Sequence, residues 1–480
     1  MIIDNWELGG LLYIGYALIV VAAAVAIIHV LMDNRQPAKT MAWVLVIGFI
    51  PIVGVVFYLF FGINHRKERI ISQGQMDELT KRSMLSFVGQ HNFRVPERQK
   101  PLVDLFVNQN LALPFKDNQI DIMTDGYAFF PELLKDISEA THHIHINMYI
   151  IEDDALGRLV ADSLMAKARQ GVKVRLIYDD VGCWRVSNRF FEQMREAGVE
   201  VAPFLPVRFP SFTSKVNYRN HRKIIVIDGR IGYIGGMNIA RRYVSTKWRD
   251  TMLRVQGGVV YALQRAFLVD WYFVDHSLIT DREYYPPVSE ELTAKSQLLI
   301  SQVVTSGPIA RYPEIMQGFV RIILAARRYI FIETPYFLPN EPILFALKTA
   351  ALAGVDVRVM CPLYSDARFL DWASRSYLRE ISEAGAKVYL YEPGFLHSKL
   401  LISDDSLVSC GSTNVDFRSL ENNFEANVFI YDEGTALRLK KVYLDDQSQS
   451  VLLSDVPNRL HPKFYARLCE SFTRLVSPLL

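Results

Sequence analysis

One spacing of chemically capable residues occurs twice in this chain. His221-x-Lys223-x4-Asp228-x6-Gly235-x-x-Asn238 is matched by His397-x-Lys399-x4-Asp404-x6-Gly411-x-x-Asn414. From ordinary residue usage a single chance occurrence is on the order of one in ten thousand. On an extended strand, residues i and i+2 face the same side, so each His and its Lys point together. Two such strands would deliver two imidazoles and two ammonium groups to one cleft. One neutral imidazole can attack phosphorus while the other, protonated, supplies a proton to the departing oxygen. The lysines and the Asn238 and Asn414 amides would neutralise and grip the phosphoryl oxygens as charge builds. This is phosphodiester chemistry, and it calls for no metal or other cofactor.

The elements that must carry these residues are also written twice. A first unit runs through Thr124–Gly126, HIHINMYI ending at Ile150, GVKVRLIYD from Gly171, EAGVEV from Glu196 and NHRKIIVIDG from Asn220. A second keeps the order with Thr305–Gly307, YIFIETPYF from Tyr329, GVDVRVMCP from Gly354, EAGAKV from Glu383 and LHSKLLISDD from Leu396. The step from the first glycine to the next is 45 residues in one unit and 47 in the other. Helical patterns over 155–170 and 343–353 each end at a glycine suited to the C′ position, and β-branched strands over 172–178 and 355–361 follow. Strand–helix alternation of this kind predicts an α/β fold of two pseudo-symmetric α-β-α sandwich halves, over 116–290 and 291–480.

Composition narrows the field. With 480 residues, half of them apolar and 22% charged, the chain is neither disordered nor a single small core. Its 53 Lys plus Arg against 51 Asp plus Glu leave no global footprint for nucleic acid. The four cysteines form no CxxC pair, which excludes a disulfide scaffold and a zinc ribbon.

The N-terminus is of another character. Residues 8–32 and 41–64 hold no Asp, Glu, Lys or Arg, and each run exceeds the ~20 residues a bilayer core requires. The polar stretch DNRQPAKT lies between them, so residues 1–64 read as a two-helix transmembrane hairpin and 65–115 as an amphipathic connection. A cleaved signal peptide is the alternative for the first run; Asp4 and Glu7 before it and its length count against that. Arg35 and Lys39 in the loop face Arg66, Lys67, Arg69, Lys81 and Arg82 after the second run. That excess of positive charge places the body on the cytoplasmic side of a multi-pass membrane protein.

The doubled motif resembles the phospholipase D superfamily, whose members build one active site from two such motifs. Within it the chain is similar to bacterial cardiolipin synthases over essentially its whole length. The similarity includes RQPAKTMAW at 35–43, the pattern Pro51, Gly54, Tyr58, Gly62, YIGGMNIA after the first motif, WRD at 248–250 and GSTNVDFRS at 411–419. The resemblance implies transfer of a phosphatidyl group from one phosphatidylglycerol to another, giving cardiolipin and glycerol, with no cofactor. It implies that His221 is the nucleophile, and that His397 protonates the departing glycerol and then deprotonates the incoming hydroxyl. Lys223, Lys399, Asn238 and Asn414 would hold phosphate, with Asp228 and Asp404 structural. Ser412 is the hydroxyl phosphate ligand of the pattern, but the first motif has Gly236 there, so the halves cannot grip phosphate identically. Asp250 lies 29 residues after His221 and Glu425 lies 28 after His397. Related enzymes place a carboxylate near this point to fix the catalytic imidazole, so both are expected to orient histidines; a surface carboxylate is the alternative.

Other features weigh less. His142, His143 and His145 look like metal ligands, but strand positions account for them. Arg241 and Arg242 are a solvated turn or lipid-headgroup contacts. An insertion of 11 residues before His221 carries Phe204, Leu205, Val207, Phe209 and Phe212 with Arg208 and Lys215, and reads as an interfacial loop or one packed on the protein. A phospholipase D hydrolase, passing the same intermediate to water, is the near alternative function. Nucleic-acid cleavage by the same motif pair is the distant one, opposed by balanced charge and membrane anchoring. The partners expected are phosphatidylglycerol, cardiolipin and an anionic membrane, not nucleic acid; oligomeric state is unassigned.

Overall fold

In the computed structural model the described residues are 5–32, 37–62, 95–110, 112–207, 218–245, 247–290, 292 and 299–477. The connection over 65–94 and most of the expected interfacial loop, 208–217, lie outside them.

A helix over Asn5–Met32 opens the chain, and its stretch Tyr13–Met32 is long and apolar enough to cross a membrane. The second apolar run is not one helix as expected. It comprises Pro37–Phe49, Pro51–Phe57 and a π-helical turn over Tyr58–Gly62. The break falls at Ile50, whose φ is −134°. Pro51 causes it, because the residue before a proline is pushed from helical φ/ψ and proline starts helices better than it continues them. The two arms pack through Ala23, Ala26 and Val30 against Ile47 and Tyr58, and His29 Nδ1 lies 2.7 Å from the Tyr58 hydroxyl.

The body holds two sheets of one topology. In the first, the strands follow the spatial order Gln119–Met123, Met252–Gln256, Ile231–Gly235, Ile224–Ile227, His143–Met148, Lys173–Asp179, Glu200–Phe204. In the second, Ile300–Ser306, Glu425–Tyr431, Leu407–Gly411, Leu400–Ser403, Tyr329–Glu333, Asp356–Pro362 and Lys387–Tyr391 repeat that order, with one short strand added at each edge. The last three strands of each series are parallel, and the others pair antiparallel. The parallel strands are joined by the helices Ala155–Arg169 and Asn188–Glu196 in the first half and Glu341–Leu352 and Arg368–Glu383 in the second. Gly171 and Gly354, at φ +91° and +86°, end the first helix of each pair where a side chain would be strained.

The halves do not meet at a simple seam. Helix Lys100–Asn110, expected in the connection, packs Leu102, Val103 and Phe106 into the core of the second half, and Phe115 pairs with Ser301 at its sheet edge. Phe106 lies so close to Gly318 that a Cβ there would stand 2.4 Å from the ring. Helix Val259–Asp275 of the first half touches strands of both sheets. Asn118 fastens this region, donating to the carbonyls of Phe115 and Leu299 while its own oxygen accepts from Val259 N at 2.9 Å.

Candidate active site

Each His-x-Lys segment is an extended lead-in to a strand, one step short of the strand position expected. His221 and Lys223 precede Ile224–Ile227, and His397 and Lys399 precede Leu400–Ser403. They stop short of their own sheets because they pair across the molecule. Asn220 bridges Phe424 in parallel, His221 N donates to Phe424 O at 2.9 Å, and Phe424 N donates to Arg219 O. In the other half, Phe395–Leu396 pairs in parallel with Trp248–Arg249, and His397 N donates to Arg249 O at 2.6 Å. Phe424 and Arg249 are the residues immediately before Glu425 and Asp250.

That pairing exchanges the carboxylates. His221 Nδ1 lies 3.0 Å and 3.1 Å from the two oxygens of Glu425, from the second half. His397 Nδ1 lies 2.7 Å from Asp250 Oδ2, from the first. Both carboxylates are wholly buried and both imidazoles nearly so. With Nδ1 directed at a carboxylate, Nε2 is the ring nitrogen left for chemistry. Lys223 Nζ donates to His221 O at 2.7 Å, and Lys399 Nζ donates to His397 O and stands 2.9 Å from His397 Nδ1.

Burial governs the electrostatics. It pushes His221 down to about 4, with Glu425 pulling the other way and Lys223 and Lys399 adding to the depression. It pushes His397 down to about 3, helped by Lys399 and Lys223 against Asp250. The lysines fall to about 7 for Lys223 and about 8 for Lys399, again through burial, which Glu425 and Asp250 oppose. Glu425 resists the upward push of burial because His221, Lys223 and Ser412 hold it below the usual carboxylate range. Each lysine thus acts on the opposite histidine, so the two pairs share one electrostatic site.

The remaining expected residues divide. Asp228 and Asp404 are remote: each begins five residues past its lysine, about 17 Å along an extended chain. Asp228 accepts from the backbone of Thr141, His142 and His143, and Asp404 from that of Arg327, Arg328 and Tyr329, at 2.8–2.9 Å. Each therefore pins the start of a central strand. Ser412 differs from the expected phosphate ligand. Its hydroxyl donates to Glu425 and accepts from Ala426 N at 3.0 Å, so it steadies the carboxylate behind His221. At Gly236 a Cβ would stand 2.1 Å from Asp250 Oδ1, so the shorter carboxylate occupies the space a serine would need. Asn238 donates to the Tyr243 hydroxyl at 2.7 Å and accepts from Ile150 N, and Asn414 donates to Asp416 at 3.0 Å. Both amides are thus tied into the frame around the site.

Aromatic walls were not singled out from sequence. Tyr149 sets its ring 4.9 Å from that of His221 and 5.1 Å from Lys223 Nζ. Tyr243, Trp248 and Phe395 stand 5.6–6.2 Å from His397. They are the low-dielectric lining behind the depressed histidines. Tyr149 sits in the HIHINMYI run and Trp248 in WRD, but a lone aromatic there has no signature distinguishing lining from core.

Phe204, expected in an interfacial loop, instead ends a strand and is buried against Phe273 and Phe424 at 4.8 Å and 5.0 Å. His143 and His145 are buried and joined through Gln264, at 2.9 Å and 2.8 Å. Arg242 is exposed and pairs with Glu152. Among the described residues no group of three His, Cys, Asp or Glu side chains is placed to hold a metal ion.

A family model described as cardiolipin synthase, PLD-like domain, matches residues 133–271 and 319–446, once in each half. The chain belongs to the cardiolipin synthase family. A second model, phospholipase D-nuclease N-terminal, matches residues 21–62. Cardiolipin synthase of Geobacillus sp. (strain WCH70) is 38% identical, over 99% of this chain and 96% of its own. That of Geobacillus kaustophilus (strain HTA426) is 40% identical over 94% and 90%. The crystal structure of phosphatidylserine synthase from Haemophilus influenzae Rd KW20 superposes with a TM-score of 0.61 at 16% identity, covering 80% of this chain and 100% of that one. At that identity the likeness is one of fold, and it extends the phospholipase D-like sandwich across both halves of this cardiolipin synthase family member.

Proposed function

We propose that this protein makes cardiolipin by passing the phosphatidyl group of one phosphatidylglycerol to the glycerol hydroxyl of a second, through a phosphatidyl-histidine. The observation that carries the reading is the pair of buried His-Lys sets, each imidazole backed at Nδ1 by the other half's carboxylate. His221 Nε2 attacks phosphorus, the bond from phosphorus to glycerol oxygen breaks, and His397 gives its proton to that oxygen. A second phosphatidylglycerol then enters, His397 takes the proton from its hydroxyl, and the new oxygen–phosphorus bond displaces His221. Lys223 and Lys399 balance the charge that gathers on the phosphoryl oxygens. The aromatic lining disfavours water as acceptor. Asp250 and Glu425 orient the rings without touching substrate.

The N-terminal segment is read as the membrane anchor: two passes, with the body on the cytoplasmic side because positive charge gathers after the second. The deciding experiment incubates the purified chain with phosphatidylglycerol vesicles and quantifies lipid products and glycerol. Cardiolipin and glycerol in equal amounts, abolished by His221→Ala and by His397→Ala, is the expected result. Phosphatidic acid as the main product would make the protein a hydrolase. In the His397→Ala protein, a phosphatidyl adduct found by mass spectrometry on His221 would fix the nucleophile; an adduct elsewhere would reverse the roles.

A further inference from the structure

The last helix, Phe464–Val476, is built inside out. A helix on the surface of a soluble protein turns its apolar stripe inward and its polar face to water. Here Glu470, Thr473 and the following Ser477 are the buried positions. Arg379 reaches Glu470 at 2.8 Å, Tyr377 shares a hydrogen bond with Ser477 at 3.0 Å, and Arg474 reaches Glu380 at 2.6 Å. All three partners lie on helix Arg368–Glu383, so polar bonds hold the C-terminal helix down. Facing away are Phe464, Tyr465, Leu468, Phe472 and Leu475, between 56% and 84% exposed. Their spacing places them within about 100° of one another around the helix axis. Five large apolar side chains exposed along one face of a single helix mark a docking face.

The charges around the stripe identify what it docks on. Between Val456 and Ser477 the sequence holds Arg459, His461, Lys463, Arg467 and Arg474 against a sole acidic residue, the buried Glu470; Arg459 and Arg474 are already paired with Asp371 and Glu380 of helix Arg368–Glu383. Lys463 and Arg467 are exposed beside the apolar face. Aromatic and aliphatic side chains on one face, flanked by cations with no exposed anion among them, are the composition of a helix that lies in a bilayer interface. We infer that this helix rests its exposed face in an anionic phospholipid surface, giving the body a membrane contact of its own, separate from the N-terminal segment.

The full-length protein carrying Cys469→Ser and a nitroxide on Ser471→Cys, reconstituted into nanodiscs of phosphatidylglycerol and phosphatidylcholine, reports the position of the helix by power saturation. A nitroxide on the exposed Ser138 of the first half serves as the water reference. The expected result is a Ser471 label shielded from an aqueous nickel chelate but open to oxygen, at a depth about 5–10 Å below the phosphates. Nickel collisions should rise when the bilayer is phosphatidylcholine alone, and again with Lys463→Glu plus Arg467→Glu in the mixed bilayer. Nickel collisions equal to those at Ser138 would overturn the inference. So would dipolar broadening between labels, which would put a second copy on the face, and so would shielding from both reagents, which would put other protein there. A depth indifferent to lipid charge and to both charge reversals would remove the anionic part.

Discussion

In the proposed reaction His221 attacks as a neutral imidazole while His397 serves as acid and then base, and a carboxylate from the opposite half leaves the Nε2 atom of each ring free. Glu425→Gln should therefore slow attack by His221, and Asp250→Asn should slow proton transfer by His397, each by about 10²–10⁴-fold in turnover. Rapid-quench measurement of the phosphatidyl adduct separates them: Glu425→Gln should suppress its formation, whereas normal formation would break the exchanged pairing. Protonation gives a second expectation. Burial holds His397 at about 3, so at neutral pH it must gain the proton it donates when an anionic phosphodiester arrives. Binding of a non-reactive phosphatidylglycerol analogue should take up protons, read by calorimetry in buffers of different ionisation enthalpy. Loss of that uptake in His397→Gln and its retention in His221→Gln would assign it; no uptake in the parent protein would refute the proposed acid.

Asp228 and Asp404 hold strands, not substrate. Asp228→Ala leaves three backbone N–H groups without their acceptor and should cost about 3 kcal/mol in denaturant unfolding. The fraction that folds should still form cardiolipin, and loss of activity at full stability would return Asp228 to the site. Gly318→Ala should lower the thermal midpoint by forcing helix Lys100–Asn110 off its seat, and Phe106→Leu in the same chain should recover part of the loss. These elements also show what the sequence could and could not disclose. The structural role of Asp228 and Asp404 was legible only through the family resemblance, whereas the repeat and the alternation of strands and helices around each motif follow from local periodicity and from matched spacings. The exchanged carboxylates do not, because 29 and 28 residues fit pairing within a half as well as across it. Ser412 on Glu425, the break at Ile50 and the seating of Lys100–Asn110 on the second half depend on packing between distant segments, which periodicity does not encode.

At the scale of the molecule, strand pairing across the site and the Asn118 bonds fuse the two sandwiches. The body should unfold in one transition, with probes at Trp184 and Trp372 reporting the same midpoint; two midpoints would show separable halves. Acid should trigger it. His143, His145, His221 and His397 are all pushed down by burial, so the unfolded chain binds protons there that the folded chain does not. Their stabilising contribution is complete above about 6.5 and is lost as pH falls toward 4. A midpoint flat across that window would contradict the buried, neutral state of these rings. The exchange of carboxylates also has a bearing on inheritance. A duplicated gene ordinarily leaves one copy free to drift while the other keeps the work. On the proposed roles, a lesion at Glu425 in the second copy would disarm the histidine of the first, and one at Asp250 that of the second. Neither copy can be retired, and the pairs Gly236 with Asp250 and Ser412 with Glu425 can diverge only as matched sets, so selection sees one gene where the sequence shows two.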